Sequence, residues 1–479
     1  METHQGQPSC FIILGASGDL AKKKLLPALF SLYCNKMLPE DFVVIGFARS
    51  SMDHKAFRNR IVENLTCRYG ENEQDCAEKM DQFLDRCYYH SGQYDSTEDF
   101  ESLNKKINEQ YPDGANRLFY MSIPPSIFVK TAKSVGASGI MTVEEKFWSR
   151  VVIEKPFGED TESSEKLLES LSKIFKEEQT YRIDHYLGKE VIQNLLILRF
   201  ANRIFEPIWN QEHIQYVSIK FTEDIGVEGR AGYFDQYGII RDVLQNHLMQ
   251  ILALVAMEQP VKFDAESIAD EKVKALRSVP ALTLDKVTVG QYAAIEKNGI
   301  KYPGYHDDPE VPDDSITDTY AHLQLAINNK RWYGVPFYLS AGKALNDRKT
   351  EIFIKFKDVP YSIFHETGKT NTNGLLIRVQ PNESIEFQMA NKVPGLGMNL
   401  EKVKLDMLYH DEFDGVLPEA YERLLLDVMR GDRSLFLQKY ELQASWDIVT
   451  PILHELQEKN IQPKPYPYGS EGPDHGCPA

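Results

Sequence analysis

The feature that most constrains the fold is an apolar run that passes directly into a glycine-rich turn and then into a helical repeat. Residues 10–14 read CFIIL, residues 15–22 read GASGDLAK, and leucines recur at helical spacing over residues 25–32. A strand, a glycine turn and a helix start place backbone N–H groups and the positive end of a helix dipole where a pyrophosphate can rest. The pattern predicts a dinucleotide-binding turn. The alternative is a tight turn of structural importance only, and the missing Gly-Lys-Ser/Thr excludes a Walker A loop.

Two kinds of strand divide the chain. Apolar runs at residues 42–47, 118–121 and 150–153 alternate with helical stretches, which is typical of a parallel sheet covered on both faces. From about residue 200 onward, apolar and polar residues alternate with period two, as in Val217, Ile219 and Phe221, which is typical of an antiparallel sheet. We predict a Rossmann-type dinucleotide-binding domain over 1–183 and a larger β+α domain with a mainly antiparallel sheet over 184–479.

Net charge and hydropathy limit the partners. The chain has 54 Lys+Arg against 71 Asp+Glu, a net charge of −17, which disfavours nucleic acid and anionic membranes as partners. No apolar run reaches the roughly 18 residues of a membrane span, and the first residues lack a basic or apolar leader. We therefore expect a cytoplasmic protein that binds neither nucleic acid nor membrane. The Pro- and Gly-rich segment from Pro463 is expected to be a surface tail.

The cysteines carry no ligand pattern. None of the six is part of a CxxC pair or a Cys/His spacing typical of zinc. We expect free thiols, no disulfide framework and no metal.

The end of the second predicted strand indicates which dinucleotide is bound. NAD sites place an acidic residue there for the ribose 2′-hydroxyl, whereas this chain has Arg49. A guanidinium binds a 2′-phosphate through paired hydrogen bonds, so the sequence favours NADP. A solvated surface arginine is the alternative.

Residues 181–190 read YRIDHYLGKE, a segment dense in hydrogen-bonding side chains. His185, Tyr186 and Lys189 supply three donors of different reach that could converge on a phosphate.

A histidine interrupts an apolar stripe in the helix predicted from residue 239. His247 shares the stripe with aliphatic side chains, while Asp242 precedes it by just over one turn. A histidine held by a carboxylate, here Asp184 or Glu223, is the usual base for a hydroxyl proton near neutral pH. A satisfied core histidine is the competing interpretation.

Two further basic positions are candidates for binding an anionic substrate. Lys155, in EKPFG, follows a predicted parallel strand at the edge where such sheets bind ligands; a plain turn, with a cis bond before Pro156, is the alternative. Residues 342–349 bring several cations together in an acidic chain, including Lys343 and Arg348. This segment suits an anionic substrate, and a solvated loop is the alternative.

With these residues assembled, the chain closely resembles the glucose-6-phosphate dehydrogenase family over nearly its whole length. The motifs GASGDLAKKK, EKPFG, RIDHYLGKE, GYFDQYGIIRDVLQNHL and GKALNDRK occur in the family's order. The resemblance implies an N-terminal dinucleotide-binding domain, a β+α domain, and assembly through its sheet into homodimers or homotetramers. It implies NADP-dependent oxidation of glucose 6-phosphate at C1 to 6-phosphogluconolactone, the entry step of the pentose phosphate pathway, without a metal.

The resemblance also implies residue roles, with His247 as the general base and Asp184 as the carboxylate that orients it. The positions implied for the coenzyme are Gly15, Ala16, Ser17, Gly18, Asp19, Leu20, Ala21, Lys22, Arg49 and Lys155. Those implied for the sugar phosphate are Lys155, His185, Tyr186, Lys189, Glu223, Asp242, Lys343, Arg348 and Gln380.

The sequence departs from the family pattern in two places. Some eukaryotic members bind a second, structural NADP, but Ser340, Glu386 and Gln388 stand at positions that this site needs, so we expect no such site. Phe128 stands where a tyrosine near the coenzyme is expected. Two alternatives to the main interpretation are an enzyme for unphosphorylated glucose and a catalytically inactive NADP-binding scaffold. The presence of the phosphate-binding residues and of His247 and Asp184 disfavours both.

Overall fold

The structure is a computed structural model that describes residues 6–68, 73–141, 146–364, 373–413 and 416–476. Within these residues, the first part of the chain forms a six-stranded parallel sheet in the order β3-β2-β1-β4-β5-β6. Its strands are β1 (Ser9–Leu14), β2 (Phe42–Ala48), β3 (Cys87–Ser91), β4 (Asn116–Met121), β5 (Ser149–Ile153) and β6 (Thr180–Arg182). All residues of β1, β2 and β4 are buried, as expected of a sheet covered on both faces.

The helices of this part connect the parallel strands. A π-helical turn, Ala21–Leu25, runs directly into the first of them. They are α1 (Leu26–Cys34), α2 (His54–Val62), α3 (Glu73–Asp85), α4 (Thr97–Gln110), α5 (Phe128–Ala137) and α6 (Thr161–Ser172). Because β1 and β4 are neighbours although β2 and β3 lie between them in the chain, the strand order reverses beside β1, which is where such sheets open a crevice for a ligand.

The second part of the chain contains a large mixed sheet. In the described residues its order is β16-β15-β14-β13-β7-β12-β11-β8-β17, and all neighbours are antiparallel except β7 with β12 and β8 with β17. Its strands are β7 (Ile214–Thr222), β8 (Val287–Ala293), β11 (Tyr320–Ala326), β12 (Pro336–Gly342), β13 (Lys349–Phe356), β14 (Gly374–Gln380), β15 (Ser384–Lys392), β16 (Leu400–Leu408) and β17 (Lys464–Pro467). The strands β9 (Ile295–Lys297) and β10 (Ile300–Tyr302) form a separate hairpin. The fold class predicted from strand character is confirmed.

Helices of the second part pack against the sheet and against the dinucleotide-binding part. They are α7 (Glu190–Phe200), α8 (Ala231–Ile239), α9 (Met249–Ala256), α10 (Ala265–Arg277), α11 (Tyr409–Glu412), α12 (Ala420–Arg430) and α13 (Lys439–Glu458). A π-helix, Ile240–Leu248, lies between α8 and α9 and packs against β7, β12 and α13. None of the helices in the described residues is long and apolar enough to cross a membrane.

The segment from Pro463 is not the surface tail that its composition predicts. Residues Lys464–Pro467 form β17, which pairs in parallel with β8 at the edge of the large sheet. Tyr466 is 1% exposed, and its hydroxyl donates to the carbonyl of Lys343 at 2.7 Å. The prediction is wrong because backbone pairing with β8 and burial of one aromatic ring outweigh the local effect of proline and glycine.

The expectation of free thiols is also wrong for one pair. Cys67 and Cys76 form a disulfide, with Cα atoms 5.8 Å apart. Cys10, Cys34 and Cys87 are free, and Cys477 lies outside the described residues. No sequence pattern indicated this pair, because the closeness of the two cysteines depends on where α3, which carries Cys76, begins.

Candidate active site

The glycine turn after β1 is held closely against neighbouring strands. Gly15 has a φ of +87°, and a Cβ there would lie 1.9 Å from the carbonyl oxygen of Ser122, so only glycine fits. Its N–H donates to Phe47 O at 2.9 Å, and Gly18 N–H donates to Gly15 O at 2.9 Å. The turn therefore brings backbone close to the carboxyl ends of β1 and β2 without side-chain obstruction. This geometry fits a dinucleotide pyrophosphate.

Cations surround the same turn. Arg49 follows the last residue of β2, is exposed, and lies with its guanidinium 5.7 Å from the centre of the Tyr94 ring. In the portions of the chain that are described, no ion pair involves Arg49. Arg60 donates to Ser17 O at 2.5 Å, and Lys22 pairs with Glu63 at 2.6 Å. Arg49 is thus exposed to solvent, and its role in binding a 2′-phosphate stays a prediction.

The centre of the site is a buried histidine–carboxylate pair. The Nδ1 atom of His247, on the π-helix, lies 2.5 Å from Asp184 Oδ1, and the two residues are 2% and 1% exposed. Asp184 Oδ1 also accepts from the N–H of Tyr186 at 2.9 Å. Burial raises the pKa of Asp184, but the charge that His247 carries when protonated and the hydrogen bond from its ring outweigh burial and bring this pKa to about 2. The ionised carboxylate therefore fixes the proton of His247 on Nδ1 and leaves Nε2 as the acceptor.

Lys155 connects this pair to the dinucleotide-binding part. Its Nζ lies 2.9 Å from His247 Nε2, 2.7 Å from the carbonyl oxygen of Asp242 and 3.2 Å from Asp242 Oδ1. The peptide bond between Lys155 and Pro156 is cis. Burial lowers the pKa of His247, Asp184 raises it, and the ammonium of Lys155 lowers it further, so that it falls below its usual value. His247 is thus held as a neutral base at neutral pH.

A polar cluster lies beside the pair, on α7 and its preceding turn. Lys189 Nζ donates to Gln380 Oε1 at 2.7 Å, and Gln380 Nε2 donates to the hydroxyl of Tyr186 at 3.0 Å. The Tyr186 hydroxyl is 3.2 Å from Thr350 Oγ1. Burial lowers the pKa of Lys189 from its usual value. The cluster therefore brings together hydrogen-bond donors for an anion: Tyr186 and Lys189 from the turn before α7, Thr350 from β13 and Gln380 from β14.

His185 adds an imidazole to this cluster. Its ring centre is 4.7 Å from that of His247 and 5.0 Å from that of Tyr186. Burial and the neighbouring His247 lower the pKa of His185 well below its usual value. His185 is therefore a neutral imidazole at neutral pH and not a cation.

Of the remaining sugar-binding candidates, Glu223 and Lys343 follow the last residues of β7 and β12, Asp242 is on the π-helix, and Arg348 precedes β13. Lys343 Nζ pairs with Glu223 Oε2 at 2.5 Å, and Lys343 also lies 5.2 Å from the ring of Phe234. Burial raises the pKa of Asp242, but Lys155 and Lys343 outweigh it, and the pKa falls to about 2. Lys343 is therefore near Asp242 as well as Glu223. Arg348 is exposed, and its charge acts on both Tyr186 and Lys189.

No sequence pattern indicated a role for the half-buried carboxyl of Glu154, next to Lys155. Glu154 Oε1 accepts from the hydroxyls of Tyr120, at 2.5 Å, and Tyr421, at 3.2 Å. The Tyr421 ring stacks over His185 at 6.2 Å, so Glu154 joins β4 and β5 to α12 at the site. EKPFG contains the glutamate, but nothing in the sequence around Tyr421 indicates this contact. Phe128, where a tyrosine was expected, begins α5 and is fully buried in the core.

The spacing of Asp184, His185 and His247 would also allow a metal ion, since one ligand atom from each lies within 4.8 Å of the others. The hydrogen bond between His247 and Asp184 already joins the atoms that face each other, and Lys155 places a positive charge at Nε2. This donor set favours proton transfer over metal binding.

A parallel-sheet domain with a glycine turn at the edge where such sheets bind ligands, next to a neutral histidine held by an ionised carboxylate, is typical of a nicotinamide-dependent dehydrogenase. Family models of the glucose-6-phosphate dehydrogenase NAD-binding domain and C-terminal domain match residues 12–194 and 196–477. The chain belongs to the glucose-6-phosphate dehydrogenase family.

Individual relatives agree over nearly the whole chain. This chain is 53% identical to the chloroplastic glucose-6-phosphate 1-dehydrogenase 1 of Arabidopsis thaliana, over 96% of its own length and 80% of the relative. It is 47% identical to the cytoplasmic enzyme 6 of the same plant, over 96% and 88%. A solved glucose-6-phosphate dehydrogenase in complex with glucose 6-phosphate superimposes with a TM-score of 0.92 at 42% identity, covering 99% of this chain and 97% of that one.

Proposed function

We propose that the protein oxidises D-glucose 6-phosphate at C1 to 6-phospho-D-glucono-1,5-lactone with NADP⁺, the entry step of the pentose phosphate pathway. The observation that carries this proposal is the His247–Asp184 pair, with Nε2 directed at Lys155 and the polar cluster of Tyr186 and Lys189 close by. The family match and the substrate named for the superimposed structure support it.

His247 is the general base. Its Nε2 lone pair takes the proton of the C1 hydroxyl, and Asp184 stabilises the imidazolium that forms. Lys155, which lies at Nε2 in this structure, is placed to orient that hydroxyl and to contact the coenzyme. NADP⁺, when bound, supplies the hydride acceptor.

The phosphate of the sugar binds to His185, Tyr186 and Lys189, with Arg348 beside them. The chemistry of these side chains supports the assignment. His185 and Tyr186 are neutral donors, Lys189 is a cation, and burial strengthens each hydrogen bond to an anion. The hexose hydroxyls bind to Lys155, Glu223, Asp242, Lys343 and Gln380. Of these, Lys155 pairs with Asp242 and Lys343 with Glu223 in this structure, while Gln380 accepts from Lys189.

The coenzyme binds along the turn from Gly15 to Lys22, with Arg49 on the 2′-phosphate. The closeness of Gly15 to Ser122, which leaves no room for a side chain, supports the pyrophosphate position. The exposure of Arg49 supports selection of NADP over NAD.

The test is NADPH formation, followed at 340 nm, with two sugars and two coenzymes. Glucose 6-phosphate with NADP⁺ should give the largest kcat/KM. Equal kcat/KM for glucose and glucose 6-phosphate would contradict the phosphate assignment and favour the enzyme for unphosphorylated sugar. Absence of turnover in a folded, NADP-binding preparation would favour a scaffold.

We further propose a boundary at residue 183/184, where the parallel sheet has ended with β6. A homodimer or homotetramer assembled through the large sheet is supported by β16, whose residues are largely exposed, with Leu405 61% exposed. Light scattering of the purified chain tests the assembly. A cytoplasmic location, as in the name of one relative, is tested by cell fractionation.

We also propose that no second, structural NADP binds. Glu386 pairs with Arg378 and Lys404, so cations near that position are already neutralised. Calorimetry on protein freed of nucleotide should give one NADP per subunit, and two would contradict the proposal.

A further inference from the structure

Asp318, a residue outside every motif noted in the sequence, holds the start of the helix that carries the candidate base. Its Oδ2 accepts from the N–H of Ile240, the first residue of the π-helix, at 3.0 Å. Its backbone carbonyl accepts from the N–H of Ile239 at 2.8 Å. One residue therefore satisfies two successive N–H groups where the helix begins.

The chain at Gly238 is shaped to receive this carboxylate. Gly238 has φ +67° and ψ 171°, which breaks the helical path between α8 and the π-helix. A Cβ at Gly238 would lie 2.7 Å from Asp318 Oδ1. Both the conformation and the close approach require glycine, so the helix start and Asp318 are fitted to each other.

Asp318 is itself anchored to the edge of the large sheet. The next residue, Thr319, is fully buried, its N–H donates to Gly290 O at 2.9 Å, and its carbonyl accepts from Lys343 N–H at 3.0 Å. The Thr319 hydroxyl is 2.9 Å from that of Tyr466 on β17. The helix start is therefore attached through Asp318 and Thr319 to β8, to β17 and to the backbone of Lys343, which follows β12.

We propose that Asp318 is a positioning residue for the oxidation, because its carboxylate and carbonyl fix the start of the helix that presents Asp242 and His247 to the sugar. This inference rests on the proposed function. Asp242 is the third residue of that helix and His247 the eighth. A displacement of about 1 Å at a reacting group can cost roughly 100-fold in rate, so a loosened start would affect catalysis.

Ionisation of the half-buried Asp318 carboxyl costs free energy of folding. Burial raises the pKa of Asp318 to about 6, against the lowering effects of the Ile240 N–H and of Arg241. Tyr305 and Tyr466 also face it from their own segments. Because this pKa lies above that of an unfolded aspartate, ionisation of Asp318 destabilises the fold as the pH rises through about 6. An asparagine would cap the helix without this cost.

The test compares Asp318→Ala and Asp318→Asn with wild type, with Asp314→Asn, an exposed aspartate on the same segment, as the control. Asp318→Ala should lower kcat/KM for glucose 6-phosphate about 10–100-fold. The Kd of NADP⁺, measured by fluorescence without sugar, should stay within about twofold, because the coenzyme turn lies on the other domain. Asp318→Asn should restore most of the rate at pH 8.

The pH profile separates positioning from mere stability. Below pH 6 the Asp318 carboxylate of wild type gains a proton and becomes a weaker acceptor for the Ile240 N–H. The amide of Asp318→Asn does not change in this pH range. The ratio of kcat/KM, Asp318→Asn over wild type, should therefore rise at least about twofold from pH 8 to pH 5.5. A flat ratio, or unchanged kcat/KM in a folded Asp318→Ala, overturns the inference. If wild type itself does not oxidise glucose 6-phosphate, the proposed function fails instead.

Discussion

We propose that the coenzyme turn (residues 15–22) and the His247 centre both bind charged groups, but by opposite means. The turn uses backbone N–H groups and cations at the surface, such as Arg49, that are open to solvent. The centre uses buried groups that hold one another, with Asp184 and His247 2.5 Å apart and nearly inaccessible. An exposed cation contributes mainly to the affinity for an anionic ligand, because water and salt screen its charge. A buried charge also determines the protonation states of the groups beside it. Changes at the turn should therefore alter coenzyme binding, and changes at the centre should alter turnover.

The largest effect is expected at the centre. His247→Asn should lower kcat about 10²–10⁴-fold, because the base is lost, while the Kd of glucose 6-phosphate changes little. Steady-state kinetics and equilibrium binding measure the two quantities. His213→Asn, an exposed histidine, is the control. A kcat near that of wild type would remove His247 from the mechanism and abolish the contrast between the regions.

A smaller and different effect is expected at the turn. Arg49→Ala should weaken NADP⁺ binding roughly 10–100-fold through loss of charged hydrogen bonds to the 2′-phosphate. Binding of NAD⁺ and kcat at saturation should be nearly unchanged. Lys55→Ala, an exposed cation on α2, is the control, and titration with both coenzymes is the measurement. An unchanged NADP/NAD preference argues against the assignment of Arg49.

The smallest effect is expected at the polar cluster of Tyr186, Lys189 and Gln380, which lies beside the centre. Lys189→Ala should raise KM for glucose 6-phosphate about 10-fold, since one charged hydrogen bond to the phosphate is lost. The rate with glucose, which lacks that phosphate, should not change. Lys402→Ala, exposed on β16, is the control. A parallel loss for both sugars would show that Lys189 supports the fold around Gln380 rather than the phosphate.

The two regions also differ in what the sequence could predict. The turn is one continuous segment whose glycines and leucine spacing are visible locally, and Arg49 follows at the end of the next strand. The partners within the centre come from distant segments: Glu154 meets Tyr421 across 267 positions. Local periodicity cannot report such contacts. The sequence itself predicted that Asp184 or Glu223 holds His247, and the family resemblance selected Asp184. No local pattern indicated Glu154 or Asp318.

The two errors and one unexpected helix have different causes. β17 becomes a strand only because β8 offers an edge, and the Cys67–Cys76 bond depends on how α3 starts. The apolar stripe that predicted a helix around His247 is present, but this segment is a π-helix. Wider turns of this kind are frequent at functional sites, and the stripe alone does not distinguish them from an α-helix.

The central claim is that His247 is a neutral base whose pKa is set by its buried neighbours, and a pH profile tests it most directly. Burial lowers the pKa of His247 and ionised Asp184 raises it. Protonation then removes the base, so kcat/KM of wild type should hold through pH 6.5, the usual pKa of histidine, and fall only at lower pH. Asp184→Asn should reduce kcat/KM and move this fall to lower pH, because the raising charge is gone. A fall at the same pH in both proteins would contradict the account.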